Sequence, residues 1–171
     1  MRHFEQAHSM SEKKEMTLEN LSGSLPSNSR LMGLDLGTKT IGLALSDVSR
    51  TVATPLETIR RIKFTEDIKR LLKLTEKHDV SALVIGLPLN LDGTEGPRVQ
   101  ATRAFTRNLG QHTDLPLVFW DERLSTVAVE RTLLEADTSR KRRAEVIDKM
   151  AAAFILQGAL DRLANIDRTQ T

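Results

Sequence analysis

Residues 32–47 read Met-Gly-Leu-Asp-Leu-Gly-Thr-Lys-Thr-Ile-Gly-Leu-Ala-Leu-Ser-Asp. Two short apolar runs flank a Gly-Thr break, the pattern of a strand, a tight turn and a second strand. The first run carries one acid, Asp35, between Leu34 and Leu36. A carboxylate on a core strand is costly to bury unless something pairs with it. A divalent cation is one such partner, so the stretch points to a metal or phosphate site.

The pattern around it extends the sheet. Strands are expected at 31–36, 40–46 and 51–58, and their short links imply antiparallel neighbours. Ile68, Leu71, Leu72 and Leu74 fall at helical spacing within 65–78. The run 82–86 reads as a buried strand, and 87–96 has the composition of a loop. Pro97 suits the first turn of a helix reaching about 111, followed by a strand at 116–120. Ser125 or Thr126 caps a helix to about Ala136, and 145–163 forms the last helix. A meander followed by βα units predicts an α/β domain: a five-stranded mixed sheet with helices on both faces.

The 171 residues favour one such domain with extra length at the ends. Residues 1–30 are polar and read as a mobile extension, with a transient helix near 10–21. The domain is expected over 31–165, with a tail at 166–171. No apolar run reaches the ~18 residues of a membrane span, and no secretory signal is visible. Cytoplasm is the default location. Cysteine is absent, which excludes disulfides and thiolate metal sites. Lys+Arg 25 against Asp+Glu 23 is too balanced to imply nucleic acid by itself. The densest basic run, Arg140, Lys141, Arg142 and Arg143, is a solvated surface unless it lies near a catalytic centre.

Sites in such sheets gather at the carboxyl ends of central strands. Asp35 is on the first strand, Asp121 and Glu122 follow the strand ending at Trp120, and the last helix offers Glu145 and Asp148. Converging carboxylates make a hard-oxygen site for Mg²⁺ or Mn²⁺. Two such ions, about 3.5–4 Å apart, can activate water and stabilise the leaving oxygen of a phosphodiester. Capping or ion pairing competes with metal binding for Asp121 and Glu145. The histidines, at 3, 8, 78 and 112, lack zinc-ligand spacing. Gly33–Thr40 is no P-loop, because Lys39 does not directly follow Gly37 and a strand comes next.

Gly33-Leu-Asp-Leu-Gly-Thr-Lys-Thr-Ile-Gly-Leu-Ala, Val84-Ile-Gly-Leu-Pro-Leu-Asn, Asp92-Gly-Thr-Glu, Asp121-Glu-Arg-Leu-Ser-Thr and Asp148-Lys-Met-Ala-Ala together resemble the YqgF family. That family is described as Holliday-junction-resolvase-like or as a pre-16S rRNA nuclease. The resemblance spans roughly 31–163. It implies a ribonuclease H-like fold, with Asp35, Glu122 and Asp148 as the metal-binding, catalytic acids. It further implies a nuclease of ribosome biogenesis whose substrate is structured RNA or branched DNA. Lys39, Arg123, Arg140, Lys141, Arg142 and Arg143 are the candidate nucleic-acid contacts. The family often has a basic residue where Thr40 stands. The first acid motif is also similar to the phosphate hairpin of actin-like ATPases, which pair two such cores around a nucleotide. A non-catalytic RNA-binding assembly factor is a third alternative, and monomer and homodimer both stay open.

Overall fold

The computed structural model of the chain describes residues 16–125, 130, 132, 133, 136 and 140–170. Five strands form one sheet: β1 (Arg30–Leu36), β2 (Thr40–Ser46), β3 (Ala53–Arg60), β4 (Val80–Leu87) and β5 (Leu117–Asp121). The order is β3-β2-β1-β4-β5. β1–β2 and β2–β3 pair antiparallel, whereas β1–β4 and β4–β5 pair parallel. The helices are α1 (Leu18–Leu21), α2 (Phe64–Lys77), α3 (Pro97–Gly110) and α4 (Arg140–Thr169), with a 3-10 turn at Glu122–Leu124. The mixed five-stranded sheet is thus as expected. The helix expected from Ser125 or Thr126 to Ala136 lies largely outside the described residues.

Strand alternation divides the core into two layers. Met32, Leu34, Leu36, Ile41, Leu43, Leu83 and Ile85 form one cluster with Ile68 and Leu71 of α2 and Phe105 and Leu109 of α3. Leu31, Ala44, Val84, Val118 and Trp120 form the other with the alanine-rich stretch of α4. Helices therefore cover both faces. Asp35, in step with Leu31 and Gly33, belongs to the α4 face.

α4 lies unusually close to the sheet because glycines line its path. A Cβ at Gly33 would come within 2.7 Å of the Ala152 carbonyl and 2.8 Å of Leu156 Cβ. Farther along α4, Gly158 makes room for the Trp120 ring, 2.7 Å from where a Cβ would stand.

Several boundaries differ by a few residues from the sequence expectation, and three of the differences have a visible cause. β3 begins at Ala53 because Asp47 holds the preceding turn. Its carboxylate accepts from Thr51 N and Oγ1, each at 2.7 Å, and from Val52 N at 3.0 Å. Those hydrogen bonds, Val52 N foremost, hold the Asp47 carboxyl at about 2.

At the other end, α4 continues to Thr169 rather than stopping near 163. Ile166, assigned to a tail, is buried in the same cluster as Leu163, Leu18 and Leu21. Residues 16–29, in turn, are not a free extension. Thr17 caps α1, and Leu18 and Leu21 are buried. Met16 N donates to Leu117 O at 3.1 Å. Ser22 donates to Asp167, and Arg162 pairs with Glu19 at 3.3 Å. Arg50 Nη1 donates to the carbonyls of Pro26 and Ser29, each at 3.0 Å. Residues 1–15 of the expected extension lie outside the described residues.

Candidate active site

The β1–β2 hairpin turns on Gly37, whose N–H donates to Thr40 O at 2.9 Å. A Cβ there would press to 3.1 Å from that same oxygen. Arg61, which sequence reading passed over, fastens the turn. Its backbone N–H donates to Lys39 O at 2.9 Å, and its Nη1 donates to Gly37 O at 2.6 Å. The guanidinium also lies 5.6 Å from the centroid of the Phe105 ring. Lys39 itself is exposed at the tip.

Asp35 is buried on β1, only 6% exposed. Its cross-strand partner is Gly42 of β2. A side chain at Gly42 would overlap the backbone of Asp148, whose carbonyl lies directly above. The absence of a Cβ at residue 42 thus lets α4 set Asp148 beside Asp35. Thr40, two residues before Gly42 on the same face, donates its hydroxyl to Asp148 Oδ2.

The row continues on the other side of β1. Ile85 is the partner of Leu34, so Gly86 stands next to Asp35 at a strand spacing of about 4.8 Å. Glu122 Oε1 is shielded from solvent, 3.3 Å from where a Gly86 Cβ would be. Val118 and Trp120 face α4, and Glu122 keeps their parity although it already belongs to the 3-10 turn. Asp35, Glu122 and Asp148 therefore share one face at the carboxyl end of β1, β4 and β5. Among the described residues, no three His, Asp or Glu side chains close into a ready-made metal cage. The acids form a row across the sheet.

The two acids with competing roles are both engaged elsewhere. Asp121 caps the 3-10 turn, accepting from Arg123 N at 3.0 Å. Its carboxylate also takes Arg123 Nε at 3.0 Å and Nη2 at 2.7 Å. Bonding to the Arg123 side chain holds the Asp121 carboxyl below its ordinary value, against the opposing effect of burial. Glu145 accepts from Arg60 Nη2 at 2.7 Å and Nε at 3.0 Å.

The candidate nucleic-acid contacts separate in the same way. The Arg123 guanidinium is occupied by Asp121, and its Nη1 would stand 3.2 Å from a Cβ at Gly93. Gly93 has φ +86, at the tip of the 88–96 loop, so a side chain there would be strained as well as crowded. Arg123 thus links the end of β5 to that loop. The backbone of 140–143 forms the first turn of α4, one turn before Asp148's region, and the side chains of Arg140, Lys141, Arg142 and Arg143 lie outside the described residues.

A central β1 flanked by antiparallel β2–β3 and parallel β4–β5, with the long α4 across one face, is the ribonuclease H-like arrangement. Residues 29–162 match the family model RuvX, described as Holliday junction resolvase, and the chain belongs to that family. This is the family that the sequence motifs resemble. A protein of Methylocella silvestris is 67% identical over 138 residues, covering 81% of this chain and 86% of the relative. One of Rhizobium meliloti is 61% identical over 153 residues, covering 90% and 93%. Both are named "Putative pre-16S rRNA nuclease". Among solved structures, T. thermophilus RuvC in complex with a Holliday junction substrate aligns at a TM-score of 0.49 and 13% identity. That alignment covers 78% of this chain and 95% of RuvC.

Proposed function

We propose that this chain is a metal-dependent nuclease that hydrolyses phosphodiester bonds at the 5′ end of pre-16S rRNA. The observation that carries the reading is the placement of Asp35, Glu122 and Asp148 on one face, at one end of the sheet, over two glycines that keep the space open. The names of relatives more than 60% identical over most of the chain support the RNA substrate.

The donor set fits a hard divalent cation. All three side chains present carboxylate oxygens, which suit Mg²⁺ or Mn²⁺, and the chain has no cysteine to offer a thiolate. Asp35, the most buried and the middle of the row, would hold such a cation together with Glu122 and Asp148. When bound, such ions activate a water and stabilise the leaving oxygen of a phosphodiester. The chain's own part is to hold the acids in place. β1 fixes Asp35, the turn capped by Asp121 fixes Glu122, and α4 fixes Asp148. Lys39 on the hairpin tip and the basic start of α4 would take substrate phosphates, contacts that position a nucleic acid without reading its sequence. No helix among the described residues is long and apolar enough to cross a membrane.

The test is cleavage by the purified full chain with Mn²⁺ on a pre-16S 5′ leader, linear DNA and a four-way DNA junction. Leader cleavage that disappears in Asp35→Asn, with an unchanged or slightly raised metal-free melting temperature, is expected. An Asp35→Asn protein that cuts as fast as the parent would refute the site. Cleavage of the junction alone would favour the second reading, resolution of branched DNA, which rests on the family's description. That activity needs two active sites related by symmetry.

A further inference from the structure

We propose that Thr40 is a positioning residue for Asp148, fixing which oxygen of that carboxylate is presented to a cation. The inference rests on the nuclease reading above. Its geometry is independent of any relative, and the two residues lie 108 positions apart in sequence.

Thr40 opens β2, and its backbone is already held by the hairpin, through Gly37 N donating to its carbonyl at 2.9 Å. Strand geometry and the β-branch leave its side chain few rotamers. Its hydroxyl has a single proton to donate, and that proton goes to Asp148 Oδ2. Gly42 completes the arrangement from below. With no Cβ at that position, the helix settles until the Asp148 backbone touches β2, which brings the carboxylate level with Thr40 two residues earlier on the same face.

Asp148 is thereby caught between two points of one strand, the hydroxyl at 40 and the bare backbone at 42. Oδ2 is committed to Thr40, which leaves Oδ1 as the oxygen offered to a cation. The Thr40 hydroxyl is neutral, so it orients the acid without cancelling its charge. Partners of this kind, bonded to a metal-binding side chain rather than to the metal, set its orientation and its affinity.

The experiment compares the full chain with Thr40→Val, Thr40→Ser and Asp148→Asn, all first checked for a cooperative metal-free melt. Valine preserves shape and strand preference while removing the donor; serine retains the donor. If the valine variant does not melt cooperatively, Thr40→Ala replaces it. Mn²⁺ binding is measured by calorimetry on protein alone, and cleavage is followed against Mn²⁺ concentration. The expected result is that Thr40→Val weakens Mn²⁺ binding about 10- to 100-fold, the usual effect of losing such a partner. Its cleavage should recover as Mn²⁺ is raised, and Thr40→Ser should stay close to the parent in both assays. Asp148→Asn should lose tight binding and should not recover. A valine variant with the parent's binding curve overturns the proposal while leaving Asp148 in place. An Asp148→Asn protein that binds Mn²⁺ like the parent instead overturns the metal-site reading itself.

Discussion

Gly33→Ala tests the whole construction, because Gly33 is two residues from Asp35 yet touches no candidate substrate or ion. Its added Cβ would stand 2.7 Å from the Ala152 carbonyl and 2.8 Å from Leu156 Cβ, where ordinary contact begins at 3.4 Å. The obstacle is helix backbone and the base of a side chain, so rotation about a side-chain bond gives no relief. α4 must retreat by about 0.7 Å at this point, the difference between 2.7 and 3.4 Å. A gap of that size forfeits a quarter to a half of each dispersion contact around it, and overpacking of this kind costs roughly 1–3 kcal/mol. For a chain of this length each kcal/mol lowers the melting temperature by about 2–4 °C, so a fall of roughly 2–12 °C is expected. Ala152 lies one helical turn from Asp148, so the displacement carries to the site, where a misplacement of about 1 Å costs on the order of 100-fold in rate. Differential scanning calorimetry and single-turnover cleavage read the two effects. A variant that melts within a degree of the parent and cleaves at its rate would show that α4 does not ride on these glycines.

Glu122→Gln should abolish cleavage with little change in melting, whereas Asp121→Asn should lose stability through its bonds to Arg123 yet keep cleavage at permissive temperature; the reverse pattern would exchange their roles. Leu21→Ala, at a fully buried position of α1, should cost roughly 2–5 kcal/mol, measured by urea denaturation, and a loss under 0.5 kcal/mol would return residues 16–29 to the status of a dispensable extension.

Local pattern carried the fold because each signal sits within a single element. The apolar runs at 31–36 and 40–46, buried on both faces, the helical spacing of Ile68 and Leu71, and Pro97 after the 87–96 loop all act over a few residues. Asp35 stood out for the same reason, as an acid among Leu side chains. Strand parity separates Glu122 from Asp121 in the structure, and it holds one residue past the end of β5. What was hidden depended on partners distant in sequence. The polar composition of 16–29 masks Leu18 and Leu21, whose burial requires α4. Ile166 looks like a tail residue until α1 covers it. The Asp47 turn moved the start of β3 through side-chain bonds that strand propensity does not register. The engagement of Arg123 with Asp121, two residues away, was within reach of an ion-pair argument, whereas the bond from Thr40 to Asp148 had no local signal.

The clasp between α1 and the far end of α4 has a consequence for how the protein is made. Ser22 meets Asp167 across 145 positions, and Glu19 meets Arg162 across 143. Contacts of such sequence separation form late, because a long loop must close before they contribute. During synthesis the hairpin and the first parallel strands leave the ribosome while α4 is still unmade, so one face of the sheet, Leu31, Val84 and Trp120 included, waits uncovered. Asp148 arrives with that last helix. The carboxylate row is therefore assembled only once the C-terminal segment is free, and a growing chain that already displays Asp35 and Glu122 does not yet have the full set.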